Sequence, residues 1–191
     1  MPITTRELNI LSRERQTFED AGIKVIVSPE NGLNLSNDKG KLHNWAAEIG
    51  IPIPEGGVCA NKLEFERLAN DLLSRHEYLF FKPTVGNGSR GIGLIAKNVK
   101  SNMSNGKPEL MPLLLSEWTL RLPDQFDTPL LLTQFLPGKE YSVDAFVWPG
   151  NETIIIPRSR DKMVSGISVS GEFEKNESRS EFIRLIGSKL H

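Results

Sequence analysis

A glycine-rich segment between two short apolar runs constrains the fold of this chain more than any other feature of its sequence. Four glycines fall within residues 86–93, after an apolar run that ends at Phe81 and before another that starts at Ile92. Both runs have the composition of β-strands. Glycines let backbone N–H groups converge on an anion and let the chain lie close over a phosphate. The segment therefore predicts a β-hairpin whose loop is suited to phosphate binding.

The charges around this hairpin differ from those of the whole chain. The chain has 23 Lys+Arg and 24 Asp+Glu, which give a net charge of −1. Between Glu77 and Glu109 there is no acidic residue, but there are five cations: Lys82, Arg90, Lys97, Lys100 and Lys107. Cations gathered around a glycine loop are what a polyphosphate site requires. The alternative is an ordinary glycine-containing hairpin with solvated lysines, and for the bare Gly-x-Gly-x-x-Gly pattern both interpretations stay open.

The order of elements around the loop excludes three well-known phosphate-binding motifs. A dinucleotide-binding fingerprint needs a helix after the loop, whereas a strand is predicted here. A P-loop ends in Gly-Lys-Ser/Thr, which is missing. A protein kinase carries its lysine on the strand after the loop, followed by His-Arg-Asp and Asp-Phe-Gly motifs. In this chain Lys82 precedes the loop, and neither downstream motif occurs.

Composition excludes several other classes of protein. The chain of 191 residues is 38% hydrophobic and 25% charged, which is globular rather than disordered. Its near-zero net charge argues against nucleic-acid binding, and no apolar run approaches the ~18 residues that cross a bilayer. Cys59 is the only cysteine, which leaves no internal disulfide and no cysteine-based zinc site. With no secretory signal near Met1, we expect a soluble, cytoplasmic protein that binds neither nucleic acid nor membrane.

Capping signals and hydrophobic periodicity predict a mixed α/β chain. We predict helices over residues 4–22, 36–50, 62–75 and 178–190. We predict strands over residues 23–27, 78–85, 92–96, 129–135, 140–148 and 153–160. Residues 29–34 are predicted to form a polar turn, residues 98–108 a mobile polar loop, and residues 110–122 an ambiguous segment with a short helix. The unpaired helix–strand unit at the start and the uncapped helix at the end favour a chain cut at both ends.

A lysine on the strand that enters a glycine-rich β-hairpin is the arrangement of the ATP-grasp ligases, and this chain resembles them over nearly its whole length. Three motifs carry the resemblance: Asp38-Lys39 with Gly50-Ile51-Pro52-Ile53-Pro54, Lys82-Pro83 with the loop 86–91, and residues 133–144, which read TQFLPGKEYSVD. The likeness is most marked to the ATP-binding domain of the carbamoyl-phosphate synthase large subunit. It implies an α+β, ATP-grasp-like fold of two small sheets with flanking helices, incomplete at both ends. Residues 1–35 would be the remnant of a preceding α/β unit, residues 36–133 the N-terminal lobe with its glycine-rich lid, and residues 134–191 part of the C-terminal lobe.

The resemblance implies a site for ATP built from eleven residues: Lys39, Lys82, Gly86, Gly88, Ser89, Arg90, Gly91, Gln134, Phe135, Leu136 and Glu140. The two lysines and the loop would contact the phosphates, residues 134–136 would form the adenine hinge, and Glu140 would accept from the ribose hydroxyls. Taken alone, Lys39 could be a solvated lysine, the hinge a plain buried strand and Glu140 a surface side chain. Lys82 follows an apolar run that predicts partial burial, where an unpaired ammonium is costly.

Arg158 and Arg160 alternate along a predicted strand and therefore share a face. The resemblance implies that both are catalytic and stabilise charge on the transferred phosphoryl group or on an acyl-phosphate. The alternative is a solvated edge strand that its charges protect from aggregation.

No metal site is predicted within the chain. In ATP-grasp enzymes the Mg²⁺ ligands would follow a helix like the last one here, so Mg²⁺ is expected only in a complete domain. Glu174-Lys175-Asn176 has the Glu-x-Asn spelling of such ligands, but it precedes the helix and lies in a polar stretch, so we reject it.

The resemblance implies the ATP-binding part of a ligase that activates a carboxylate as an acyl-phosphate for attack by an amine. The sequence identifies neither substrate and leaves open whether this chain is itself an enzyme. A second interpretation is a non-catalytic remnant or interaction module, which self-associates or docks onto a partner subunit that completes the fold. A third is an unrelated mixed α/β binding domain.

Overall fold

A computed structural model describes residues 5–86, 91–98, 111–147, 153–164, 167–174 and 177–189. The helices in this part are α1 Thr5–Arg13, α2 Arg15–Asp20, α3 Glu30–Ser36, α4 Lys39–Glu48, α5 Lys62–Arg75, α6 Leu115–Thr119 and α7 Glu177–Lys189. The strands are β1 Gly56–Asn61, β2 Tyr78–Pro83, β3 Gly93–Ala96, β4 Leu113–Leu114, β5 Gln125–Gln134, β6 Tyr141–Val147, β7 Thr153–Ser159, β8 Lys162–Val164 and β9 Ile167–Ser170. None of the helices described is long and apolar enough to span a membrane.

Five strands form the main sheet, in the order β1-β5-β2-β3-β4. All neighbours pair antiparallel except β3 and β4, which are parallel. Lys82 of β2 lies opposite Leu131 of β5, and Phe80 lies opposite Thr133. The hairpin of β2 and β3 that encloses the glycine segment is thus built into a sheet, which confirms the predicted strand–loop–strand order.

Helix α5 covers one face of this sheet and supplies the core. Asn61 caps the helix by accepting a hydrogen bond from the Glu64 backbone N–H at 3.0 Å. The ring of Phe65 is fully buried and meets the ring of Phe81 edge to face, with centroids 5.2 Å apart. The other buried members of this core are Cys59, Ala69, Leu72, Leu79, Ile95, Leu130 and Leu132. The apolar face of α5 therefore packs on strands β1, β5 and β2.

Gly93 allows the returning strand of the hairpin to lie against the core. A Cβ atom there would overlap the Phe81 ring and lie 2.6 Å from Cζ2 of Trp118. Trp118 donates from Nε1 to the Leu94 carbonyl at 2.9 Å. The aromatic pair thus occupies the space that any larger residue at position 93 would need.

The second half of the chain contains two small hairpins and a helix. Strands β6 and β7 pair antiparallel, with Ser142 opposite Arg158 and Asp144 opposite Ile156. Phe173 forms a bridge with Arg158 on the other side of β7. Strands β8 and β9 form a separate two-stranded sheet, and α7 packs against β7.

The predicted mixed α/β class is confirmed, but several local predictions are wrong. Residues 23–27 form no strand, since no strand among the described residues lies beside them to pair with, and residues 30–36 form a helix instead of a turn. The first helix divides into α1 and α2. Strand β1 was not predicted, and the described residues contain three sheets, where two were expected.

Candidate functional site

Lys82 lies on the face of the main sheet opposite to α5. Leu79 and Phe81 of β2 are buried beneath that helix, so Phe80 and Lys82 extend from the other face. The Lys82 ammonium lies 6.0 Å from the centroid of the Phe80 ring, and the side chain is half-buried. The strand thus holds a cation at the edge of an apolar surface, directly before the glycine segment.

The end of β5 brings an aromatic side chain to the same face. Phe135 follows two residues after Thr133, which pairs with Phe80, so all three face the side that Lys82 faces. The Phe135 and Tyr78 rings meet at 69° with centroids 6.5 Å apart, and Phe135 N–H donates to the Tyr78 carbonyl at 3.0 Å. The structure therefore brings the predicted hinge, residues 134–136, and the predicted phosphate lysine to one face of the sheet.

The side chain of Gln134 points the other way. Its Oε1 accepts a hydrogen bond from Glu55 N–H at 3.0 Å, and its own N–H donates to the Glu55 carbonyl at 2.7 Å. The Glu55 carboxylate is bound by Arg75 and by His76, whose Nε2 lies 2.7 Å away. Hydrogen bonds first from Arg75 and then from His76 hold the pKa of Glu55 below its usual value. Within residues 134–136, the Gln134 side chain therefore holds the Glu55 segment in place and does not lie on the face of Lys82.

We expect Gln134→Leu to lower the free energy of unfolding by about 1 kcal/mol, because the hydrogen bond that Glu55 N–H donates to the Gln134 side chain is lost. Urea denaturation measures this change. The matched control is Gln125→Leu at the exposed start of the same strand, which should change stability by less than about 0.5 kcal/mol. Equal losses of unfolding free energy in the two variants would show that the Gln134–Glu55 hydrogen bond does not stabilise the fold.

Lys39 is bound to the start of the glycine loop, residues 86–91. Asp38 caps α4 by accepting from Gly40 N–H at 2.9 Å and Lys41 N–H at 3.1 Å. Lys39 Nζ donates to the Gly86 carbonyl at 3.0 Å, and the Lys39 backbone N–H donates to the Thr84 carbonyl at 2.8 Å. The two sequence motifs that contain Lys39 and Gly86 therefore meet in space.

Glycine is needed at both described ends of the loop. Gly86 has φ 147° and Gly91 has φ 70°, values that residues with a Cβ rarely adopt. Gly40 is needed for a different reason, which is close packing: a Cβ there would lie 2.9 Å from Cγ2 of Thr84, just before the loop. The remaining candidates in the loop, Gly88, Ser89 and Arg90, lie outside the described residues.

The two arginines each pair with a carboxylate of the β6 segment. Arg158 Nε donates to Asp144 Oδ2 at 3.1 Å, and Arg160 Nη1 lies 3.3 Å from Glu140 Oε2. Glu140, Ser142 and Asp144 alternate and so share one face of the hairpin. The predicted ribose residue and the predicted catalytic arginines therefore meet on that face.

Comparison with known proteins identifies the fold. Residues 126–190 match the family model described as ATP-grasp in the biosynthetic pathway with Ter operon. D-alanyl-alanine synthetase A from Vibrio cholerae O1 biovar eltor superposes with a TM-score of 0.62 at 13% identity, over 94% of this chain and 53% of that chain. Biotin carboxylase from Campylobacter jejuni, solved as a β-γ-ATP complex, gives a TM-score of 0.64 at 17% identity, over 94% of this chain and 40% of that one. The chain has the ATP-grasp fold.

A third ATP-grasp structure is the ligase PsnB, solved with a phosphomimetic variant of its minimal precursor, Mg and ADP. It superposes with a TM-score of 0.51 at 15% identity and covers 97% of this chain and 51% of that chain. No curated protein sequence matches the chain. The chain thus spans about half the length, or less, of the ATP-grasp structures to which it is similar. The ATP-grasp fold that the three motifs predicted is confirmed.

Two residues that the ATP-grasp motifs contain received no role from sequence reasoning. Thr133 is buried on the face that carries Lys82, and Asp144 binds Arg158. Counting in steps of two from Phe135 and from Glu140 would have found both, because strand residues alternate between faces.

Among the residues that the structure describes, no group of three or more His, Cys, Asp or Glu side chains could hold a metal ion. Glu174 of the rejected Glu-x-Asn triplet donates from its backbone N–H to the Pro157 carbonyl at 3.1 Å. Lys175 and Asn176 lie outside the described residues.

Proposed function

We propose that this chain is the ATP-binding part of an ATP-dependent ligase that activates a carboxylate as an acyl-phosphate for attack by an amine. One observation carries the proposal: Lys82, which directly precedes the glycine loop, and Phe135, which packs on Tyr78 at the other end of β2, lie on the same face of the sheet. The three sequence motifs favour an enzyme of the carbamoyl-phosphate synthase type. We assign residues 36–133 to the N-terminal lobe, residues 134–191 to part of the C-terminal lobe and residues 1–35 to the remnant of a preceding unit.

The nucleotide would lie across this face of the sheet. Its adenine ring would pack against Phe135 and Leu136, whose side chain is exposed. Lys82 and Lys39 would bind the phosphates, and the glycine loop (Gly86, Gly88, Ser89, Arg90 and Gly91) would cover them. Glu140 would accept from the ribose hydroxyls after exchanging its contact with Arg160.

The γ-phosphoryl group would pass from ATP to a carboxylate oxygen as the bond to ADP breaks. The amine nitrogen would then attack the carbonyl carbon, lose a proton and displace inorganic phosphate. Arg158 and Arg160 would stabilise the negative charge that develops on the oxygens. We assign Mg²⁺ to a complete domain, where oxygen ligands would hold it beside the phosphates, and derive no step from it.

Binding of separate parts of the nucleotide tests this assignment. We expect the chain to bind ATP, and to bind adenosine and inorganic tripolyphosphate more weakly, by calorimetric titration. Phe135→Ala should lower the affinity for adenosine about tenfold, because the ring loses its stacking partner, and should leave tripolyphosphate unaffected.

Phe18→Ala is the matched control, since Phe18 lies on α2, outside the proposed lobes. An adenosine affinity that is the same in Phe135→Ala and in the wild-type chain would contradict the proposed packing of adenine on Phe135. If neither ATP nor its two parts bind, the proposed function fails as a whole.

A second candidate function, an interaction module, is favoured by three exposed isoleucines in the first thirty-five residues: Ile10, Ile23 and Ile26. Light scattering separates the two candidates, because an interaction module should self-associate or bind a partner subunit. A monomer that binds ATP would reject the second candidate.

A further inference from the structure

One face of the β6–β7 hairpin carries exposed apolar side chains beside an arginine. Phe146 lies opposite Ile154, and Asp144 lies opposite Ile156, so these residues share the face of Arg158. Phe146 is 60% exposed and Ile154 is 53% exposed. An antiparallel hairpin usually turns polar side chains to solvent, so this face departs from the common pattern.

Phe173 extends the apolar surface to the other side of Arg158. It bridges Arg158 across β7 and is 79% exposed. On the opposite face Pro157 and Ser159 are buried, and α7 packs against this strand. The covered face of β7 is therefore the other one, and Ile156 and Phe173 are exposed on the face of Arg158.

The guanidinium of Arg158 is oriented and accessible. Nε donates to Asp144 Oδ2 at 3.1 Å, and the side chain is 41% exposed. Within the described part of the chain, Nη1 and Nη2 have no hydrogen-bonded side chain. These two nitrogens form the planar fork that binds both oxygens of a carboxylate. Asp144 thus fixes one end of the guanidinium and leaves the fork toward solvent.

We propose that this surface, the Arg158 face (Arg158, Asp144, Phe146, Ile154, Ile156 and Phe173), binds the substrate acid of the proposed ligase. The substrate is a carboxylic acid with a bulky apolar group close to its carboxylate. The fork of Arg158 binds the carboxylate, while the apolar group packs on Phe173 and Ile156. This inference rests on the proposed function and adds the class of the acid.

Strand geometry limits the size of that acid. Cross-strand neighbours lie about 5 Å apart and residues two apart along a strand about 7 Å. Phe173 and Ile156 are therefore within reach of a ring that is joined to the carboxylate by a chain of a few carbons. An acid of the size of 3-phenylpropionate fits this spacing, whereas acetate reaches only Arg158.

The test is an NMR titration of the whole chain with 3-phenylpropionate, 3-phenylpropanamide and acetate. We expect 3-phenylpropionate to bind at least tenfold more tightly than either of the others. Arg158→Gln should remove the preference for the acid over the amide. Phe173→Ser should reduce the preference for 3-phenylpropionate over acetate at least fivefold, and Val169→Ser, at another exposed apolar position, should change neither preference.

Three results would overturn the inference: equal binding of acid and amide, an unchanged preference in Phe173→Ser, or self-association that Phe173→Ser abolishes without any binding of 3-phenylpropionate. ATP binding separates this inference from the proposed function. A chain that binds ATP but shows no preference for the apolar acid refutes only the substrate class. A chain that binds the acid but neither ATP nor its parts refutes the ligase, and with it the role of the acid as substrate.

Discussion

Lys82→Ala should lower the affinity of the chain for ATP about 30-fold. Hydrogen bonds to charged groups contribute about 2 kcal/mol, which corresponds to that factor. The half-buried position of Lys82 supports a value of this size, because screening by water is weaker there than at the surface. Tripolyphosphate should lose affinity by a similar factor, and adenosine should lose none, since the lysine contacts only phosphates in the proposed site.

Lys97→Ala is the matched control for charge. Lys97 follows β3 in the same hairpin but is exposed, so its removal changes the net charge equally. We expect less than a threefold change in ATP affinity, as for a solvent-screened charge. Equal ATP affinity in Lys82→Ala and wild type, measured by calorimetry on variants with unchanged melting curves, would refute the phosphate role of Lys82.

Phe65→Ala should lower the free energy of unfolding by about 4 kcal/mol. Truncation of a buried phenylalanine leaves a cavity and removes apolar contacts, and domains of this size are stable by only about 5–15 kcal/mol. Phe65 is fully buried, and its ring also meets Phe126 edge to face, with centroids 6.2 Å apart. Urea denaturation followed by circular dichroism measures the loss.

Leu63→Ala on the same helix is the control, because Leu63 is 68% exposed and should change stability by less than about 0.5 kcal/mol. If Phe65→Ala does not fold, Phe65→Leu provides a milder test, with an expected loss of about 1.5 kcal/mol. A loss in Phe65→Ala no larger than that in Leu63→Ala would show that α5 does not hold the sheet.

Elements fixed by local interactions were predictable from the sequence. Helix α5 begins after the capping residue Asn61 and ends at Arg75, as predicted, because its cap and its apolar spacing are both local features. The strands around the glycine segment were predictable for the same reason. Lys82 adjoins the glycine loop in the sequence, whereas Lys39 could be placed near that loop only through the resemblance, since 47 residues separate it from the Gly86 carbonyl that it binds.

Elements that depend on a distant partner were not predictable. Strand β1 reads GGVCAN and has little strand propensity, yet it pairs with β5, where a Cβ on Gly56 would lie 2.7 Å from the Thr133 Cα. Residues 23–27 show the reverse case. Their side chains favour a strand, but no strand in the described part of the chain lies beside them. The direction of Gln134 likewise follows from the pairing register, which no local pattern contains.

The contact of Lys39 with Thr84 and Gly86 affects what a bound nucleotide can gain. A phosphate oxygen that takes this amine replaces carbonyl acceptors of the protein, which must then be rehydrated or find other donors. Binding of a phosphate thus replaces hydrogen bonds that the Lys39 amine already makes and does not add bonds to a free amine. A charge-assisted hydrogen bond to phosphate is stronger than the bond to a neutral carbonyl that it replaces, so Lys39 adds to the affinity for ATP only the difference between the two.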